Sequence, residues 1–162
     1  MTAQKTTKRV PEKTKRVPKH TAPINNHEIM IQTEARIRYY AKHIDSIDSR
    51  IEELDAEWDT ERVLEVNAAS LTLGGIVLGA IVSKKYLILS AAVMGFLCQH
   101  AITGWCPPLA VLRRMGVRTQ TEIEYERYAL KMLRGDFPGV TNAKAKVEAV
   151  LDAVCPEVLK QN

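Results

Sequence analysis

Residues 66–82, VNAASLTLGGIVLGAIV, and 86–104, YLILSAAVMGFLCQHAITG, are uncharged runs of 17 and 19 residues parted only by Ser83, Lys84 and Lys85. At about 1.5 Å rise per residue, a helix over either run reaches roughly 25–29 Å, close to the hydrocarbon thickness of about 30 Å. Three residues between them leave room only for a tight reversal, so the two helices are antiparallel and the chain returns to the side it left. A soluble protein hides such helices in a core, but the rest of this 162-residue chain has too few apolar residues to wrap both on every face. The predicted fold class is therefore an all-α membrane protein: a two-helix transmembrane hairpin, a long N-terminal cytoplasmic helix and two short C-terminal helices. Lys/Arg near the span ends number five on the terminal side (Arg50, Arg62, Arg113, Arg114, Arg118) against Lys84 and Lys85 at the tip. That excess predicts that both termini are cytoplasmic.

Within the hairpin, small residues predict how the helices meet. Gly75 and Gly79 form a GxxxG, and Ala91 and Gly95 repeat the spacing in the second run. Folding the chain about position 84.5 sets Gly79 level with Ser90 and Gly75 level with Met94, beside Gly95. The same motif can also join two copies. The polar residues Asn67, Cys98, Gln99 and His100 are functional candidates by position, because polar groups are costly in hydrocarbon. Their structural alternative is a hydrogen bond from Asn67 to His100 or Thr103 that fixes helix register. No metal or cofactor is expected: His100 and Cys98 lack a second ligand at i+3 or i+4, and Cys98 and Cys106 lie about 12 Å apart along a continuous helix, too far for a disulfide.

Outward toward the N-terminus, Ile37, Tyr40, Ile44, Ile47, Ile51, Leu54 and Trp58 recur at alternating spacings of three and four. This is an a/d seam, and a parallel dimer built on it would pair His43 with Asp48, Arg50 with Asp55, and Glu57 with Arg62. The alternative is one amphipathic helix docked on the C-terminal helices of its own chain. Residues 45–61 carry eight acids against Arg50 alone, so this helix, placed at residues 26–61, stands off an anionic bilayer. Residues 1–25 read as an extended basic arm. The repeat Thr-Lys-Arg-Val-Pro at 7–11 and 14–18 belongs to it, and Lys5, Lys8, Arg9, Lys13, Lys15, Arg16 and Lys19 face only Glu12. Such an arm suits anionic lipid headgroups or nucleic-acid phosphates. The net charge of +4 is thus the property of a tail, since the remainder sums to −2.

Outward in the other direction, Trp105, Cys106, Pro107 and Pro108 lead into Leu109, Val111, Leu112, Arg113 and Arg114, an interfacial anchor. Cys106, with Arg113 two turns away, is a candidate reactive thiol, or a small packing residue. Thr119 with Glu122 fits a capping box for a helix ending near Arg134, before Gly135 and Pro138. A further amphipathic helix is expected over 142–154, on Val147, Val150, Leu151 and Val154. Neither C-terminal helix aligns a nucleophile, a base and a residue to orient them.

Residues 62–118, from Arg62-Val63-Leu64-Glu65-Val66-Asn67 through Gly74-Gly75-Ile76-Val77-Leu78-Gly79 to Gly104-Trp105-Cys106-Pro107, resemble the YgaP-like inner-membrane transmembrane domain family. The resemblance implies a bacterial inner-membrane hairpin able to dimerise, with Cys106 matching the family cysteine after the second helix. Members occur alone or anchor a rhodanese, whose domain and catalytic loop this chain lacks. The expected function is a non-enzymatic scaffold or accessory subunit, dimeric, presenting cytoplasmic helices to a partner. The alternatives are sulfur handling at Cys106 with a rhodanese-type partner, and small-anion transport through an oligomer.

Overall fold

The computed structural model of the protein describes residues 16–137. Most of the basic arm, the expected 142–154 helix and Cys155 lie outside the described residues. Every regular element among those described is helical: α1 (Arg16–Lys19), α2 (Pro23–Tyr40), a 3-10 turn (Ile44–Ser46), α3 (Ile47–Ala56), α4 (Thr60–Ile81), α5 (Tyr86–Thr103), α6 (Pro107–Arg114) and α7 (Gln120–Arg134). Two corrections follow at the start of the chain. Arg16–Lys19 is helical with Val17 buried, so the arm's last residues are docked, and α2 begins at Pro23, a residue suited to a first helical turn.

The single long helix expected over 26–61 is broken twice. His43 leaves helical geometry (φ −128°, ψ 62°), and Glu57 is extended (φ −66°, ψ 134°) before Asp59 caps α4 by accepting from the Arg62 N–H at 2.7 Å. The a/d seam therefore does not form a continuous coiled coil. Ile37, Ile47, Ile51 and Leu54 are buried against Ile123, Ala129, Leu130 and Leu133 of α7, with Tyr40 at the margin, while Ile44 and Trp58 are 56% and 46% exposed. The physical reason is that α7 supplies the apolar face that a second copy was expected to supply. The charged flanks are taken the same way: Asp48 pairs with Arg134, Asp55 with Arg127 and Glu57 with Arg118, and the Arg62 guanidinium instead lies over the Trp58 ring at 4.4 Å.

At the centre of this helical unit sits Glu126, fully buried on α7. Its carboxylate accepts from Arg36 Nε of α2 at 2.9 Å, from Arg50 Nε of α3 at 2.9 Å, and from Arg118 in the loop before α7. Burial pushes the Glu126 carboxyl up, but the hydrogen bond from Arg50 and the charges of Arg118 and Arg36 outweigh it, and the group titrates below its ordinary value. Arg118 also grips Glu57, and its carbonyl accepts from both the N–H (2.8 Å) and the hydroxyl (2.9 Å) of Thr60, the first residue of α4. Beside it, Arg113 of α6 is 1% exposed, holding both oxygens of Glu122 at 2.7 Å and Asn26 Oδ1 of α2 at 2.9 Å. Glu122 in turn completes the predicted capping box with Thr119, and α7 ends at Gly135 in the left-handed conformation.

α4 and α5 pack along one another as an antiparallel hairpin, and both are long and apolar enough to cross a membrane. Only 17% and 11% of their most apolar stretches are buried within the chain. The turn closes where the Ser83 N–H bonds back to Leu78 O at 3.1 Å. Gly75 and Gly79 face α5 as expected, but Gly75 lies against Ser90, and Gly79 against Leu87. This register is one helical turn away from the expected one, and it turns Ala91 and Gly95 outward; a Cβ added to Gly95 would meet nothing within 4 Å. The lock is polar: the Ser90 hydroxyl donates to Thr72 O at 3.0 Å.

Two outcomes test this fold. Glu126→Gln removes the charge that three guanidinium groups share and should destabilise the helical unit by about 3–5 kcal/mol in urea unfolding. Because the folded carboxyl titrates below its ordinary value of about 4.5, its contribution is present above that pH and is lost as pH falls through the folded value; the Glu126→Gln variant should lack that part of the acid sensitivity. In the hairpin, Gly75→Leu should cost about 1–3 kcal/mol by overpacking, whereas Gly74→Leu, where an added Cβ meets nothing within 4 Å, should leave the unfolding midpoint of the detergent-solubilised protein near wild type.

Candidate functional site

The candidate residues of the sequence converge only partly, at the exit of the hairpin. α5 stops because Gly104 adopts φ 77°, with its N–H on His100 O at 2.7 Å. α1 docks here: Arg16 Nη1 donates to Ala101 O at 2.7 Å, placing a cation at the negative end of α5. A Cβ on Gly104 would stand 2.7 Å from Arg16 Cβ and 3.1 Å from its carbonyl carbon, so glycine is required for space as well as for φ. Thr103 stabilises the corner by donating to Gln99 O at 2.9 Å and accepting from the Trp105 N–H at 3.2 Å. Trp105 is 38% exposed beside it.

Cys106 follows in extended geometry as the N-cap residue of α6, with Pro107 at the first helical position. It is 3% exposed, in a small core with Val17, Leu64 and Leu109. Burial pushes its thiol above the ordinary value, only partly offset by a hydrogen bond from the Leu109 backbone. Arg113, the cation expected to activate it, is committed to Glu122 and Asn26. Cys106 is therefore a protonated packing residue at neutral pH.

The other candidates are separated. Asn67 is exposed and its amide donates to Val63 O of its own helix at 2.7 Å, so the expected bond to His100 or Thr103 does not form. His100 is 6% exposed, and neither ring nitrogen has a partner among the described residues. The charges that act on it are Glu61 of α4 and Arg16 of α1. Among the described residues no three His, Cys, Asp or Glu side chains gather to hold a metal ion.

What the exit builds is a groove of about 350 Å³ between α4, α5 and α6. Leu64, Ala68 and Leu71 form one wall, Val93 and Phe96 the second, and Val111 part of the third; Asn67 and Cys106 are the polar exceptions. The sequence signals for it were the i, i+4, i+7 stripe on α4 and the amphipathic pattern of α6. Their meeting depends on the corner at Gly104, which spacing does not reveal. Compared with protein families, curated proteins and solved structures, the chain matches none.

If Cys106 is sealed as described, iodoacetamide at neutral pH should modify it several-fold more slowly in the folded protein than in urea. Measured in a Cys98→Ser, Cys155→Ser background, equal rates in the two states would contradict that geometry.

Proposed function

We propose that the chain is a non-enzymatic membrane scaffold or accessory subunit: the α4–α5 hairpin spans the bilayer and the ion-paired unit of α2, α3, α6 and α7 is presented on one side to a partner. The observation that carries this reading is the contrast between the two halves. Apolar residues of α2, α3 and α7 close upon each other, whereas Leu73, Ile81, Ile88 and Ile102 of the hairpin are 64%, 75%, 71% and 75% exposed. Water would penalise those faces at about 25 cal/mol per Å² of apolar area, and hydrocarbon would not. The resemblance of residues 62–118 to the YgaP-like family adds the bacterial inner membrane to the proposal, and the Lys/Arg excess adds cytoplasmic termini.

A homodimer is part of the same proposal. The hairpin register leaves Ala91 and Gly95 on the outer side of α5, where small residues let a second copy approach closely. Sulfur handling at Cys106 finds no support in a thiol that is buried and raised.

The test is fractionation followed by topology mapping. The full chain should stay with membranes through an alkaline carbonate wash. In a cysteine-free background, Lys84→Cys should react with an impermeant maleimide added to spheroplasts, and Gln120→Cys only after lysis. Release by carbonate would refute the span, and the reverse labelling pattern would refute the orientation.

A further inference from the structure

We propose that the exit of the hairpin is a receptor for the unit Arg-Val-Pro-x-x-Thr, and that the chain carries two ligands for it: residues 16–21, which are docked there, and residues 9–14, which take the same place when the arm slips by seven residues.

The docked copy shows what the receptor reads. Arg16 Nη1 donates to Ala101 O at 2.7 Å, and the backbone and Cβ of Arg16 fill the space that Gly104 leaves by having no side chain. Val17, 5% exposed, enters the small core of Leu64, Cys106 and Leu109. Pro18 O accepts from Asn26 Nδ2 at 2.8 Å, an amide aimed by Arg113, which holds its Oδ1. Thr21 is buried and closes the turn, its hydroxyl donating to Val17 O at 2.8 Å. The remaining bonds, from the His20 N–H to Val17 O and from the Thr21 N–H to Pro18 O, use backbone alone.

The first copy meets each of these requirements. Set seven residues apart, Thr7-Lys8-Arg9-Val10-Pro11-Glu12-Lys13-Thr14 and Thr14-Lys15-Arg16-Val17-Pro18-Lys19-His20-Thr21 differ only where Glu12 and Lys13 stand for Lys19 and His20. Lys19 and His20 are exposed, whereas Arg16, Val17, Pro18 and Thr21 are buried or half-buried. Identity between the copies thus coincides with contact to the receptor. A tail that needed charge alone would require neither a valine nor a threonine in phase.

Only the tether separates the two registers. With residues 9–14 docked, residues 15–22 form a loop whose ends are both held at the exit, and closing it places the slipped register about twentyfold below the observed one. A ligand that draws Arg16 away removes this handicap, and the first copy then covers the exit in its place. The exposed side of the docked turn changes with the register, from Lys19 and His20 to Glu12 and Lys13.

Double electron–electron resonance on the full chain in detergent reads the register. In a Cys98→Ser, Cys106→Ala, Cys155→Ser parent, one nitroxide is placed at Gln120→Cys of α7 and the other at Lys19→Cys or Glu12→Cys, the equivalent positions of the two copies. The 19–120 pair should give one narrow distance. Arg16→Gln with Val17→Ser disables the second copy, and the 12–120 pair should then adopt that same distance as its main population, a gain of about tenfold over the parent. Adding Arg9→Gln and Val10→Ser should abolish it. A 12–120 distribution that stays broad when the second copy is disabled overturns the proposal, and so does a narrow distance that survives the loss of both copies. The distance should persist on dilution with excess unlabelled chain; its disappearance would give the receptor to the arm of a second copy instead. Deletion of residues 15–21 supplies an independent check, because it joins the first copy to Ala22 in the phase of the second. Its thermal midpoint should match that of wild type, whereas deletion of residues 1–21 should lower it, and an equal loss in the two deletions overturns the equivalence of the copies.

Discussion

A single buried carboxylate constrains the helical unit more than any other group. Glu126 has no contact with water, and an unpaired anion there would cost several kcal/mol even after relaxation. It can remain ionised only if Arg36, Arg50 and Arg118 all reach it, and these come from α2, α3 and the loop before α7. Three elements are thereby held to converge on one face of α7, and the apolar seam of Ile37, Ile47, Ile51 and Leu54 closes around that point. Apolar contact is non-directional, so it supplies free energy without choosing among nearby packings. The guanidinium forks choose.

The constraint extends to the hairpin through Arg118. Its side chain is fixed by Glu57 and Glu126, and its carbonyl takes the first N–H and the hydroxyl of α4 at Thr60. The start of α4 is therefore tied to the helical unit by backbone and side-chain bonds at a residue with no exposed surface. The second tie is α6, where Arg113 is anchored to Glu122 and Asn26. The entry and the exit of the hairpin are thus each fixed to α7 or its preceding loop.

Residues that make short-range structure were legible in the sequence. The Thr119–Glu122 capping box, the stop at Gly135 and the reversal around Ser83 each depend on a few neighbouring residues, and each stands where it was expected. Choices between partners were not legible. A run of threes and fours at 37–58 is the same whether the facing helix belongs to another copy or to α7, so the seam could be read either way. The hairpin register failed for a related reason: small residues repeat every four positions in both helices, so a slip of one turn also places a small side chain opposite Gly75, and the Ser90 to Thr72 bond selects between the two. The burial of Glu126 and Arg113 was hidden, because a charge in an amphipathic helix has the pattern of a solvated face until its distant partners are known, here Arg36 and Arg50 for Glu126 and Asn26 for Arg113, 76 to 90 residues away.

The two adjacent arginines of α6 show why the exit, and not the hairpin interior, is where structure and chemistry meet. A helix of eight residues has too few hydrogen bonds to be stable alone, so α6 persists because both its sides are engaged. Leu109 and Arg113, four apart, face the protein and are buried, while Pro108, Val111 and Leu112 close the groove. Anything that fills the groove therefore presses on the helix whose opposite side carries the Arg113–Glu122 bond, and Glu122 also caps α7. One short element thus joins the groove to the first turn of the helix that carries Glu126, and the packing of the helical unit is continuous with the apolar surface of the hairpin.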